Sequence, residues 1–409
     1  MAVRIHSEKA EKQLKTRRKF AFVSPDGFSI LNLFGALIET LSRDGGWDIV
    51  AISGVDKHIV TLHSLGVRHI PVPLHRYIHP WRDMRLFFSL LRIFRKEKFD
   101  LVLNFTLKPI AYGALSARLS GVPTVVSAFR GLGRTFETGG GLRSGVLKSV
   151  VLLLLRAACR SSDRVWFTNS NDAEYFRRAR IVRDDQLMMT KNGVDTGKFS
   201  MISVDPDRLA HLREALNIPQ DALVVVMVAR LVWAKGIREF TQAARTVAEK
   251  RPRARFLLVG PLEEGTPDHV PESFLSDEAR LPHFQWLGFR EDVRDLYALA
   301  DIAVLPSYYK EGGYPRALLE PMALGKPVVT TDTPECRGPV DPGRNGLLVP
   351  PRDAQALARA VLELLDDSKK RKRFGEHSRR KVETEFDNAK IMADAYRNLA
   401  ALTVLTNPP

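Results

Sequence analysis

The run Asp301-Ile-Ala-Val-Leu-Pro-Ser307-Tyr-Tyr-Lys-Glu-Gly-Gly-Tyr-Pro-Arg-Ala-Leu-Leu-Glu320 sets two carboxylates, Glu311 and Glu320, about a doubled glycine and a proline. It reads as strand, glycine loop and helix. Pro315 suits the first helical position, where its fixed φ helps and its missing N–H costs nothing. The amides of Gly312, Gly313 and Tyr314 then lie at a helix start, which suits an anion or a sugar hydroxyl. Glu311 stands in the loop and Glu320 in the second helical turn, so one carboxylate suits a sugar and the other ribose hydroxyls. If both were merely solvated surface, the glycines and the proline would go unexplained. A second cluster, Ala229-Arg-Leu-Val-Trp-Ala-Lys-Gly236, follows an apolar run and supplies Arg230 and Lys235. Two cations at the carboxyl end of a strand suit a diphosphate whose charge must be neutralised as it leaves.

These residues need a rigid frame. At 409 residues with 44% apolar content, the chain exceeds the roughly 250–300 residues at which one core stops growing, so two domains are expected. Short apolar runs alternate with helical patterns. Strands are predicted at 19–24, 47–53, 67–72, 101–105, 124–128, 164–169 and 188–192. A second series follows at 223–228, 255–260, 283–287, 301–305, 327–331 and 346–349. Helices are predicted at about 30–43, 81–97, 236–250, 292–299, 315–324 and 353–366. Such alternation implies α/β folding, two parallel sheets covered by helices. The predicted organisation is a basic tail at 1–18, a first doubly wound domain at 19–195, a second at 196–385, and a segment at 386–409 that packs back on the first. Ligands of doubly wound sheets gather beyond the carboxyl ends of strands, and in a two-domain version a cleft between domains is the natural site.

Net charge is +15, and the first 200 residues carry all of the excess, with 32 Lys+Arg against 17 Asp+Glu. A one-sided basic field suits phosphate-rich partners, either nucleic acid or an anionic membrane face. No helix-turn-helix, zinc-finger or RNA-binding sheet spacing appears, so nucleic acid is not expected. Basic residues at 76–98 and 143–164, alternating with Trp81, Phe87, Phe88 and a leucine run, suit a peripheral contact with an anionic inner membrane. Within 145–158, Lys148 and Arg156 interrupt the apolar run short of the roughly 20 residues of a span; it reads as a buried or an interfacial helix. Cys159 and Cys336 match no metal or redox spacing and suit a reducing cytosol. Glu8-Lys9 and Glu11-Lys12 occupy the place of a secretory apolar region, against export. The ten histidines form no metal motif, and Asp205-Pro-Asp207 falls in linker, so neither a metal nor another cofactor is expected.

Taken together, these motifs resemble the retaining nucleotide-sugar glycosyltransferases of family 4, with the GT-B fold. The resemblance spans about 19 to 385 and is strongest from 223 to 350. Arg230 and Lys235 match the family's Arg and Lys-Gly element, and Glu311 and Glu320 its paired glutamates. Asn192-Gly-Val-Asp195 with Phe199, Gly325-Lys-Pro-Val-Val-Thr-Thr-Asp332 and Asn345-Gly-Leu-Leu-Val349 match three further elements. In the first half, Thr106-Leu-Lys-Pro109 with Tyr112-Gly113, Gly121-Val-Pro123, and Gly131-Leu-Gly133 with Phe136 resemble a branch that builds glycans on undecaprenyl diphosphate lipid. The resemblance implies two Rossmann-like domains facing across a cleft, a UDP-sugar donor, often an N-acetylhexosamine, and acceptor-side loops bearing Lys108, Arg130 and Gly131. It implies attack by the acceptor hydroxyl from the face the diphosphate leaves, with no side-chain nucleophile; Arg230 and Lys235 then stabilise the leaving group. An epimerase or phosphorylase of the same fold, or a noncatalytic nucleotide-sugar-binding scaffold, would share the frame.

Four departures from the family pattern stand out. Eight residues rather than seven separate Glu311 from Glu320, and Gly312-Gly313 accounts for the extra one. Pro321 replaces an alanine and is expected to kink the helix. Arg130 stands where relatives carry His or Thr. The early glycine loop is reduced to Ser24-Pro-Asp-Gly27-Phe28-Ser29, in which Gly27 and Ser29 are the remaining candidates to offer amides to the diphosphate.

Overall fold

The computed structural model describes residues 17–74, 79–131, 142–263 and 265–406. Residues 1–16 of the expected tail lie outside them, as do Gly133 and Phe136. Each of the predicted strands forms. In the first unit they are β1 (Arg18–Val23), β2 (Trp47–Ser53), β3 (Arg68–Pro71), β4 (Leu101–Phe105), β5 (Thr124–Phe129), β6 (Arg164–Phe167) and β7 (Leu187–Met189), in the order β3-β2-β1-β4-β5-β6-β7. In the second they are β8 (Val224–Val228), β9 (Arg255–Val259), β10 (Phe284–Trp286), β11 (Ile302–Leu305), β12 (Val328–Thr331) and β13 (Gly346–Val349), in the order β10-β9-β8-β11-β12-β13. The pairings in both sheets are parallel. Helices cover both faces, which is why β4, Leu-Val-Leu-Asn-Phe, is buried at every position rather than alternating.

Strand order reverses between β1 and β4 in one sheet and between β8 and β11 in the other. Loops diverge at such points and leave a crevice beyond the strands' carboxyl ends. Arg230 and Lys235 follow β8, and Glu311 follows β11, so the second sheet brings the two candidate clusters to one such point.

The chain leaves the first unit after Lys191 and returns to it after Asn388, a few residues from the boundaries read at 195 and 385. The reason is a backbone pairing. The Val194 amide donates to the Phe386 carbonyl at 2.9 Å and the Asn388 amide to the Val194 carbonyl at 3.0 Å, which keeps Asn192–Asp195 with the second unit. The Asn388–Thr406 helix buries Met392, Ala395, Leu399 and Leu402 against the first unit. There Trp47 donates its indole N–H to the Tyr396 hydroxyl at 3.2 Å.

Helices at 109–119, 170–178 and 368–381 escaped the sequence reading. The last, Ser368–Lys381, is mostly charged and buries only Phe374, Gly375 and Ser378, so it shows no apolar period. Asp205 caps the Pro206–Ala215 helix, accepting from the Asp207 amide at 3.0 Å. The expected kink at Pro321 has a specific remedy. Proline cannot bond the carbonyl of Ala317 four residues back, and the buried Tyr297 hydroxyl donates to that carbonyl instead, at 3.3 Å.

Candidate active site

Lys235 is held from both sides. Its own loop is pinned by hydrogen bonds from Leu231 N to the Pro261 carbonyl (3.1 Å), Ala234 N to Asp268 Oδ2 (3.0 Å) and Tyr308 N to the Ala234 carbonyl (2.9 Å). Gly236 closes that loop at φ +83°, and a Cβ there would lie 2.2 Å from the Pro306 carbonyl oxygen. Only glycine lets the β8 loop approach the end of β11 so closely. Gly236→Ala is therefore expected to cost about 2 kcal/mol or more, roughly 4–8 °C in the second unit's thermal melt. A melt matching the wild type would show that the approach is not tight.

The Lys235 ammonium bonds Glu311 Oε1, and both side chains are only 11% exposed. Ser307 Oγ donates to the same oxygen at 2.9 Å while accepting from the Tyr309 amide at 3.2 Å. Ser307 is fully buried, and the Thr331 hydroxyl donates to its carbonyl. Glu311 is thus the counter-ion of Lys235, a relation its position in the sequence did not reveal. Arg230 is more open, with a side chain 43% exposed and Nη1 3.7 Å from Glu263 Oε1. Its guanidinium carbon lies 5.5 Å from the Tyr309 ring centroid, and the Lys235 Nζ lies 4.9 Å from the same centroid.

The glycine loop has the shape read from the sequence, with one change: Pro315 is the cap residue and Arg316 the first of the Arg316–Ala323 helix. Gly313 sits at φ +136°. Among the described residues, the Gly313 and Tyr314 amides have no protein partner, whereas Gly312 is engaged. The Tyr314 ring fills the space beside Gly338, where a Cβ would meet it at 2.1 Å, and stacks edge-on against Phe386 at 5.6 Å. Asn192 Nδ2 holds the Tyr314 carbonyl at 3.0 Å. Glu320 is largely buried and receives Arg316 Nη2 at 3.0 Å. Burial pushes its carboxyl above the usual 4.5, with Arg316 and Lys198 pulling the other way.

The first unit revises several expectations. Lys108 donates to Asp83 Oδ1 at 2.6 Å in a pair only 14% and 5% exposed. Asp83 also accepts from the His79 amide and the Tyr112 hydroxyl. The ammonium read as acceptor-facing instead ties the loop after β4 to the start of the Pro80–Glu97 helix. Gly27 has a packing role, since a Cβ there would lie 2.9 Å from both Asp56 Oδ1 and Ile59 Cδ1. The amide of Ser29 is taken by Asp26 Oδ1 at 2.7 Å and that of Phe28 by Asp56 Oδ2 at 3.0 Å. Of the two amides expected to meet a diphosphate, that of Ser29 is therefore taken by a carboxylate, because an aspartate is a strong helix cap. Arg130 follows β5, with its guanidinium 5.0 Å from the Phe34 ring centroid and 5.6 Å from that of Trp166. Gly131 follows at φ +109°. Among the described residues, no three His, Cys, Asp or Glu side chains gather as a metal-ligating set.

Two doubly wound parallel units, with paired cations and glutamates at the second unit's switch point, define a GT-B glycosyltransferase. The chain belongs to that family: residues 34–193 match the Glycosyl transferase 4-like domain and residues 210–381 the Glycosyl transferases group 1 domain. It is 28% identical over 354 residues to the N,N'-diacetylbacillosaminyl-diphospho-undecaprenol alpha-1,3-N-acetylgalactosaminyltransferase of Campylobacter jejuni, covering 86% of this chain and 91% of that protein. It is also 28% identical over 305 residues to the UDP-Gal:alpha-D-GlcNAc-diphosphoundecaprenol alpha-1,3-galactosyltransferase of Escherichia coli, covering 74% and 76%. Among solved structures, Anabaena HepE in complex with UDP and glucose superposes with a TM-score of 0.75 at 20% identity, over 94% of this chain and all of that one.

Proposed function

We propose that the chain is a retaining hexosyltransferase that moves a sugar, an N-acetylhexosamine or a hexose, from a UDP-sugar to an undecaprenyl-diphosphate-linked glycan in bacterial surface polysaccharide synthesis. The observation that carries this reading is the convergence of Arg230, Lys235 and Glu311 at the β8/β11 switch point, with Glu320 a helical turn and a half into the adjoining helix. The cations neutralise the departing diphosphate, whose leaving oxygen takes the proton of the attacking acceptor hydroxyl. The amides of Gly313 and Tyr314 suit the sugar or its phosphate, and Glu320 the ribose hydroxyls. Side-chain cations supply the charge, so no resident metal is required. The names of the Campylobacter and Escherichia relatives support the lipid-linked acceptor and favour transfer over epimerisation, phosphorolysis or a scaffold role. The test is a panel of UDP-sugars incubated with undecaprenyl-diphosphate-linked acceptors in the presence of EDTA, reading product mass and anomeric configuration. A product of retained configuration is expected. Donor binding without turnover on any lipid acceptor would favour the scaffold.

We infer from the proposed lipid-linked acceptor that the enzyme works as a peripheral protein at the inner face of the inner membrane; among the described residues no helix is long and apolar enough to cross a membrane. The Pro80–Glu97 helix buries Leu86, Leu90 and Phe94, yet on its opposite face Trp81 is 79% exposed and Phe88 57%, with Met84 beside them. Arg82, Arg85, Arg92, Arg95 and Lys96 surround that second stripe. A basic-fringed apolar stripe suits an anionic bilayer surface. Sedimentation with phosphatidylglycerol vesicles at low salt, release at high salt, and weaker binding by Trp81→Ala/Phe88→Ala are expected. Protein that stays in the supernatant at low salt would end this reading.

A further inference from the structure

Arg230 and Lys235 come from opposite ends of one loop and carry like charges, so something must hold them together before any anion arrives. Each has a carboxylate nearby, Glu263 at 3.7 Å and Glu311 in direct contact. Carboxylates attract a cation, but they also cancel the charge that a diphosphate needs. Of the neighbours the two cations share, the ring of Tyr309 is the one without a net charge, with the guanidinium carbon 5.5 Å and the ammonium 4.9 Å from its centroid. An aromatic face attracts cations through its quadrupole while carrying no net charge. It therefore positions them without neutralising them. The backbone that carries the ring is itself anchored, because the Tyr309 amide donates to the buried Ser307 hydroxyl, whose own proton goes to Glu311.

We propose that Tyr309 is a positioning residue for the transfer reaction. Its ring holds Arg230 and Lys235 as a preformed pair for the pyrophosphate and acts through those side chains rather than on the reacting atoms. The inference rests on the reading of Arg230 and Lys235 as the diphosphate site.

The experiment compares UDP and uridine binding, by calorimetry and ligand-observed NMR, across the wild type, Tyr309→Phe, Tyr309→Leu, Tyr309→Met and Arg230→Ala. Uridine lacks the diphosphate, so its binding reports the fold and the nucleoside site alone. Tyr309→Leu and Tyr309→Met are expected to weaken UDP about tenfold while leaving uridine unchanged, in line with the loss of two cation–π contacts. Tyr309→Phe, which keeps the ring and loses only the hydroxyl hydrogen-bonded to Arg230, is expected to weaken UDP less than the Leu and Met variants do, by about threefold. If the Leu and Met variants bind UDP as tightly as the wild type while Arg230→Ala weakens it, the role of Tyr309 is overturned and the diphosphate site stands. Equal weakening of UDP and uridine would also overturn it, since the ring would then serve the nucleoside or the fold. If Arg230→Ala binds UDP normally, the site reading fails and this inference fails with it.

Discussion

Lys235→Ala is expected to lower kcat by about 10²–10³-fold, the usual loss when one donor to a developing negative charge is removed. The ammonium is nearly buried and already aligned by Glu311 and the Tyr309 ring, so little reorganisation accompanies diphosphate departure and most of its worth falls on the transition state. Substrate KM is expected to change less than kcat, because Arg230 remains to bind the ground-state diphosphate. The variant also strands the Glu311 carboxylate with Ser307 as its remaining contact, at a cost on the order of 1–3 kcal/mol of stability. That is affordable against the roughly 5–15 kcal/mol of a typical domain. Steady-state rates measured well below the melting temperature separate the two effects. Near-normal turnover would remove Lys235 from the site.

The second large effect belongs to Glu320. A carboxylate that accepts from two ribose hydroxyls makes two charge-assisted hydrogen bonds, so Glu320→Gln is expected to weaken UDP binding by roughly 10²-fold while leaving free diphosphate little affected. Its pH dependence follows from the buried environment. Burial raises the Glu320 carboxyl above 4.5, so the wild type is expected to lose donor affinity on acidification at a higher pH than an exposed glutamate would give. Glu320→Gln should lack that limb. The sign for stability runs the other way: the folded unit holds this proton more tightly than the unfolded chain, so acidification from the raised pKa toward 4.5 favours folding at this site. Affinity lost in that window is therefore not unfolding. Calorimetric titration with UDP from pH 7 downward, beside thermal melts, checks both halves. An unchanged pH profile in Glu320→Gln would place the titrating group elsewhere.

The frame was legible in the sequence because fully buried parallel strands read as continuous apolar runs, and the strand spacing forced crossover helices. The charged Ser368–Lys381 helix was not, because three small or aromatic contacts seat it and no period announces them. At the site, local motifs gave Arg230, Lys235, Glu311 and Glu320. What they could not give was who pairs with whom. The Lys235–Glu311 bond joins residues 76 apart, and the diversion of Lys108 to Asp83 depends on how a helix packs against the loop after β4. Tyr309 was passed over because one aromatic beside another looks like core until both cations are seen over its ring. At Gly27 the glycine was noticed and the aspartates were not, although Asp26 sits next to it and is a strong cap.

The central claim is that one pyrophosphate is held by Arg230 and Lys235 while its ribose is held by Glu320. A crystal structure of the protein with bound UDP tests it most directly. The predicted density has both phosphates within hydrogen-bonding reach of the guanidinium and the ammonium, and ribose hydroxyls on the Glu320 carboxylate. UDP bound away from these three side chains would contradict the account.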